Sequence, residues 1–153
     1  MTDLRNGALP DPLHGETRFP IDVRFPSDLR YIEGLVDVVS RNCAALSFPE
    51  RICNLHIPIA LTEALSNAIL YGNREDSSKR VRLSARVDER SLVLEVADEG
   101  TGFDLDECTI DPAGPGSIER EDGRGLYLMR SLMDRVERFS DGGNVVRLTV
   151  LRS

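Results

Sequence analysis

Residues 61–73 read LTEALSNAILYGN, a helix-forming run that ends at a glycine. Glu63 and Asn67 stand four apart within it, on one helical face and ~6 Å apart along the axis. Leu61, Ala64, Leu65, Ala68, Ile69 and Leu70 surround them, so a polar stripe crosses a helix otherwise suited to packing. A carboxylate buried without a partner is costly. The stripe faces either water or something worth binding.

Outward from that run, the helical pattern reaches from about Pro49 to Tyr71. Pro58 is expected to kink its first half, because proline lacks an N–H and its ring crowds the preceding turn. Upstream, residues 1–16 carry Gly7, Pro10, Pro12 and Gly15 and read as a flexible lead-in. TRFPIDVRF (17–25) predicts a strand with Pro20 at an edge. In the segment that follows, Ser27 or Asp28 caps a helix on which Leu29, Ile32, Leu35, Val36 and Val39 fall at helical spacing.

Downstream the period changes to two. VRLSARV (81–87) and LVLEVAD (92–98) alternate apolar and polar residues around a DERS turn, the pattern of a hairpin. The apolar pattern then lapses after residue 104 until Gly125. LYLMRSLMDRVERF (126–139) reads as a helix through Leu126, Met129, Leu132, Met133 and Val136, and SDGGN turns the chain into a last strand, VVRLTV. This order predicts an α/β two-layer sandwich over 17–153: a mixed, mainly antiparallel sheet with helices sharing one face.

Composition narrows the function classes. The 153 residues suffice for one domain with a real core. A net charge of −7, from 19 basic and 26 acidic residues, argues against a dedicated nucleic-acid binder. No run approaches the ~18 apolar residues of a membrane span, and the N-terminus is polar, so the expected location is cytoplasmic. The three cysteines, Cys43, Cys53 and Cys108, show no C-x-x-C spacing and read as free thiols. His14 and His56 are the only histidines, too few for a zinc site.

Three further motifs could carry chemistry. DEGTGFD (98–104) begins where a strand ends: Gly100 and Gly102 would let backbone approach a flat ligand, and Asp98 could accept from an exocyclic amine. Alone it reads first as an acidic surface turn, where D-x-G is common. EDGRGLYLMRSL (121–132) places Gly123 and Gly125 near the start of a helix, where unpaired N–H groups and the dipole favour phosphate and Arg124 could add a charged contact. Alone it reads equally as a flexible loop before an ordinary helix. Between the two, residues 105–122 hold Pro112, Gly114, Pro115 and Gly116 without clear period, the composition of a lid or an insertion.

Taken in order, E-x-x-x-N on a helix, D-x-G-x-G after a strand, a long loop and G-x-G-L opening a helix resemble the Bergerat-fold (histidine kinase-like) ATPases. Within them, ALTEALSNAILYGN, VADEGTGFD and GRGLYLMRSLMDRVE are most similar to bacterial anti-sigma factors that are serine protein kinases.

The resemblance implies bound ATP and Mg²⁺. Asn67 would take the metal and Glu63 would be the catalytic base. Asp98, Gly100 and Gly102 would hold adenine, and Gly123, Arg124, Gly125 and Leu126 the phosphates. It implies a serine/threonine protein kinase in a partner-switching system, acting on a small anti-sigma factor antagonist, with a sigma factor as a further partner and a homodimer as its assembly. The alternative is a non-catalytic module whose nucleotide only gates partner choice. Two departures stand out. Tyr71 occupies a position where the family often has histidine, and Asn144 is the residue nearest to the threonine that the superfamily commonly sets near adenine.

Overall fold

The structure, a computed structural model, describes residues 2–3, 19–100 and 121–152, with the backbone alone for 2–3 and 121–124. The two period-two segments form its central hairpin, β3 (Arg80–Val87) and β4 (Ser91–Ala97). Asp88 closes the turn between them by accepting the N–H groups of Arg90 (2.7 Å) and Ser91 (2.8 Å). The outer strands are β1 (Thr2–Asp3), β2 (Ile21–Pro26), β5 (Arg135–Ser140) and β6 (Asn144–Leu151). The strand order is β1-β2-β3-β4-β6-β5, with only β1 and β2 parallel.

Register puts one face of this sheet in the core. Val23, Leu83, Val96 and Val146 are successive cross-strand partners and all are buried. They join a single apolar cluster with Leu35 and Val39 of α1 (Ile32–Ala45), Leu61 and Leu65 of α2 (Ile57–Asn67), and Met129 of α3 (Glu121–Leu132). The opposite face carries ion pairs: Arg82 with Asp22 at 2.7 Å and Arg147 with Glu95 at 2.7 Å. The expected two-layer sandwich, mainly antiparallel with helices on one face, is the architecture observed. Among the described residues no helix is long and apolar enough to cross a membrane.

Several boundaries differ from the sequence reading. The helix expected over 126–139 spans Glu121–Leu132, taking in Gly123, Gly125 and the last two residues of the expected 105–122 loop, and Arg135–Ser140 form β5. RVERF fits either period, and pairing with β6 decides it: Asp134 N–H donates to Thr149 O, and the Asp134 carboxylate accepts from Leu151 N–H. Before Pro58 the chain winds as a π-helix over Ile52–His56, a wider turn, and Pro58 then lies in the first turn of α2, where a missing N–H matters least. A second π-helix, Ala68–Gly72, follows α2. Asp28 caps a 3₁₀ turn, Leu29–Tyr31, while Ser27 donates to Lys79 O instead. Within the expected lead-in, Thr2–Asp3 pair with β2, and residues 4–16 lie outside the described residues. Cys43 and Cys53 are buried free thiols, Cys43 pushed up by burial, and Cys108 lies outside the described residues.

Candidate functional site

The buried polar residues show where the core is interrupted. Among the described residues they are Ser27, Asn67, Asn73, Asp98 and Asn144. Asn67 is the last residue of α2 and is 5% exposed, and among the described residues its Nδ2 has no hydrogen-bond partner. A buried amide left unpaired costs roughly 1–3 kcal/mol, so its persistence calls for a function. Half-buried Glu63 lies one turn earlier on the same face.

Both residues meet Gly125. A Cβ added to Gly125 would lie 2.7 Å from Glu63 Oε2 and 3.3 Å from Asn67 Nδ2, so only glycine lets α3 pass this close to the carboxylate. The polar stripe of α2 therefore faces the early turns of α3. Gly123 and Arg124 belong to those turns, where free N–H groups are found, though their side-chain positions are not described. Leu126 departs from the rest of this set. Its side chain is 1% exposed and packs in the core, and as the sixth residue of α3 its N–H lies within the helical ladder.

Asp98 follows β4 and is buried. Its Oδ1 accepts from Gly100 N–H at 2.9 Å and, over longer distances, from Asn144 N–H (3.4 Å) and Nδ2 (3.5 Å). Among the described residues no hydrogen bond reaches Oδ2. Among the described residues, Oδ1 is thus held by protein donors, while Oδ2 packs against Gly72 without one. Burial raises the carboxyl above its ordinary value, and the Gly100 and Asn144 hydrogen bonds offset part of that rise.

Three glycines fit around Asp98 by close approach, and a Cβ on Gly143 would sit 1.9 Å from Asp98 O. A Cβ on Gly72 would sit 2.1 Å from Asp98 Oδ2, and one on Gly100 would sit 1.7 Å from Gly72 O. Gly72 was expected merely to end a helix, but it does not have the positive φ of such a cap; its lack of a side chain makes room for the carboxylate. Gly102 and residues 105–120 of the expected lid lie outside the described residues.

Ala64, Asn67, Ala68, Val96, Asp98, Met129, Arg138, Asn144 and Val146 line a cleft between the sheet and the α2–α3 layer. Its lining mixes apolar side chains with Asn67, Asp98, Arg138 and Asn144, the make-up of a small-molecule site. Its free volume is about 10 Å³, one water's worth. A purine can enter only if the walls part, and Met129, an unbranched and adaptable side chain, forms one of them.

The residues suit the groups that the sequence resemblance implies. Oδ2 of Asp98, which has no donor among the described residues, has the chemistry to accept from an exocyclic amine. The orphaned Asn67 carboxamide, turned over, offers a neutral oxygen to a hard cation. Sequence reading missed Arg138, which it placed on a helix, and Asn73, whose partners are distant in sequence. A Gly-Asn pair after a long helix reads only as a cap.

Comparison with known proteins agrees with this geometry. Residues 25–150 match the histidine kinase-like ATPase domain family. The chain is 38% identical over 98 residues to the serine-protein kinase RsbW of Bacillus subtilis, covering 61% of each chain. To the protein of the same name from Bacillus velezensis it is 31% identical over 134 residues, covering 84% of this chain and 83% of the relative. To the anti-sigma F factor of Clostridium beijerinckii it is 32% identical over 98 residues, covering 61% of this chain and 66% of the relative. The matched residues, the sheet order and the Asp98 cleft lead to one assignment: the chain belongs to the histidine kinase-like ATPase domain family.

Proposed function

We propose that this protein is an ATP-dependent serine protein kinase that acts as an anti-sigma factor in a partner-switching system and phosphorylates a serine on a small antagonist protein. The observation that carries the reading is the meeting of Glu63, Asn67 and Gly125 across α2 and α3. It brings a carboxylate, an amide and the early turns of a helix to one place. The relatives' names, serine-protein kinase RsbW and anti-sigma F factor, support the same activity and partners.

In this reading Asp98 Oδ2 accepts the adenine amine, with Gly100 and Gly102 beside the base. Asn67 holds Mg²⁺, which supplies charge neutralisation at the phosphates when bound. Gly123, in the first turn of α3, offers its backbone N–H to the phosphate oxygens and Arg124 adds a charged donor, while the N–H groups of Gly125 and Leu126, the fifth and sixth residues of α3, stay within the helical ladder. Phosphoryl transfer asks mainly for positioning and charge neutralisation. The serine Oγ attacks the γ-phosphorus, the bond to the β–γ bridging oxygen breaks, and ADP leaves with the electron pair. Glu63 accepts the hydroxyl proton.

A histidine kinase-like domain spanning 17–153, cytoplasmic and homodimeric, completes the proposal, with a sigma factor as the sequestered partner. The test is incubation with candidate antagonists and ATP labelled at the γ-phosphate. Label should appear on a serine, and Glu63→Gln should slow its appearance at least a hundredfold while ATP still binds. Transfer by Glu63→Gln at the wild-type rate would exclude Glu63 as the base. ATP binding by the wild type without transfer to any antagonist would replace the kinase with a nucleotide-gated switch.

A further inference from the structure

Asn73 is 1% exposed, and its side chain joins three separate segments. Its Nδ2 donates to Ser27 Oγ at 2.7 Å, beyond the end of β2, and to Arg80 O at 2.9 Å, at the start of β3. Its Oδ1 accepts from Glu99 N–H at 2.8 Å. These partners fix the orientation of the amide, since a carbonyl can only accept and a peptide N–H can only donate. Its own N–H donates to Ala68 O, which fastens it to the end of the helix that bears Glu63 and Asn67. Among its hydrogen bonds, the one to Glu99 alone reaches the base-binding segment.

The peptide that Asn73 holds lies between two anchored neighbours. Asp98 N–H donates to Asn144 O at 2.9 Å on the β6 side. Gly100 N–H folds back onto Asp98 Oδ1, and Gly100 packs against Gly72 O. On the helix side, the Asn73–Glu99 hydrogen bond restrains the backbone that aims Asp98, while the Glu99 carboxylate accepts from Arg80 N–H and ties the same residue to β3. We infer that Asn73 is a positioning residue for base recognition: by gripping Glu99 N–H it sets Asp98 Oδ2 where an exocyclic amine can meet it. This rests on the ATP-site reading above, and it assigns to Asn73 the discrimination between purines with and without that amine.

A purely structural asparagine would alter the binding of all nucleotides alike, whereas a positioning residue alters only the amine contact. The probes are therefore ATP and purine riboside triphosphate, which is ATP without its 6-amino group. Calorimetry on the full chain should show the wild type preferring ATP by roughly tenfold or more. In Asn73→Ala the ratio should fall close to one, through weaker ATP binding, with the analogue's affinity changed by less than about twofold.

Retention of the wild-type ratio by Asn73→Ala, or an equal loss for both nucleotides, overturns the inference. Asn73→Asp gives an independent reading should the alanine variant not fold. It keeps an acceptor for Glu99 N–H and loses the donors, so the preference should survive even where stability falls. Loss of the preference in Asn73→Asp also overturns it. A wild type with no preference for ATP over the analogue fails the ATP-site reading itself, a result separate from any failure of Asn73.

Discussion

Replacing Asp98 with asparagine should move ligand binding and stability in opposite directions. The variant's amide oxygen can still accept from Gly100 N–H, so the turn after β4 is preserved. Its NH₂ group takes the place of Oδ2 and meets the adenine amine donor to donor. Loss of one hydrogen bond to a charged acceptor is worth about 1.5–3 kcal/mol. That corresponds to roughly a tenfold to hundredfold or greater rise in the dissociation constant for ATP.

Stability should go the other way. Burial raises the Asp98 carboxyl above its ordinary value. Between the ordinary and the raised value the folded state holds more protons than the unfolded state, so stability falls as pH rises through that interval and stays lower above it. Removing the charge should make the nucleotide-free protein more stable at neutral pH, and the gain should vanish below the ordinary carboxylate range. Calorimetric titration with ATP and urea unfolding at neutral and acid pH measure the two effects. Undiminished ATP affinity, or a fall in both affinity and neutral-pH stability, would refute the reasoning.

Three other perturbations test separate parts of the site. The affinity of the wild type for ATP should begin to fall, on acidification, above the ordinary carboxylate range as Asp98 takes up its proton; Asp98→Asn should lack that limb in the same pH titration. Gly125→Ala should leave stability unchanged or raised, because alanine favours a helix over glycine by roughly 0.5–1 kcal/mol. The added Cβ would displace Glu63 Oε2, so phosphoryl transfer, followed with labelled ATP, should slow at least about tenfold. Asn67→Ala should bind ATP with an affinity that no longer depends on Mg²⁺, measured by titration with and without the metal.

The legible parts of the fold were those where a pattern persists. The α2 run from Leu61 and the hairpin from Val81 to Asp98 keep one period over many residues, so their type and burial follow from the sequence alone. β5 was hidden because VERF satisfies both periods, and only its partner across the sheet distinguishes them. The π turns at Ile52–His56 and Ala68–Gly72 leave no mark in the apolar spacing.

The site divides in the same way. Glu63 and Asn67 announce themselves as polar residues on an apolar helix, and Asp98 as an acid between a strand and a glycine. Gly72 and Asn73 gain their meaning only from contacts with residues 98–100, which the sheet brings from 26 positions away. Leu126 reads as part of a phosphate motif, yet its side chain serves the core.

The central claim is that Asp98 Oδ2 reads the amine of adenine. It is tested most directly by titrating the wild-type protein with ATP and with GTP, each in the presence of Mg²⁺, by calorimetry. GTP carries a carbonyl where ATP carries the amine, so an acceptor would face the acceptor Oδ2 and leave it unpaired. Polar mismatches of this kind discriminate strongly between ligands. The account predicts stoichiometric binding of ATP and binding of GTP weaker by at least about a hundredfold. Equal affinity for the two nucleotides, or no binding of ATP, would contradict it.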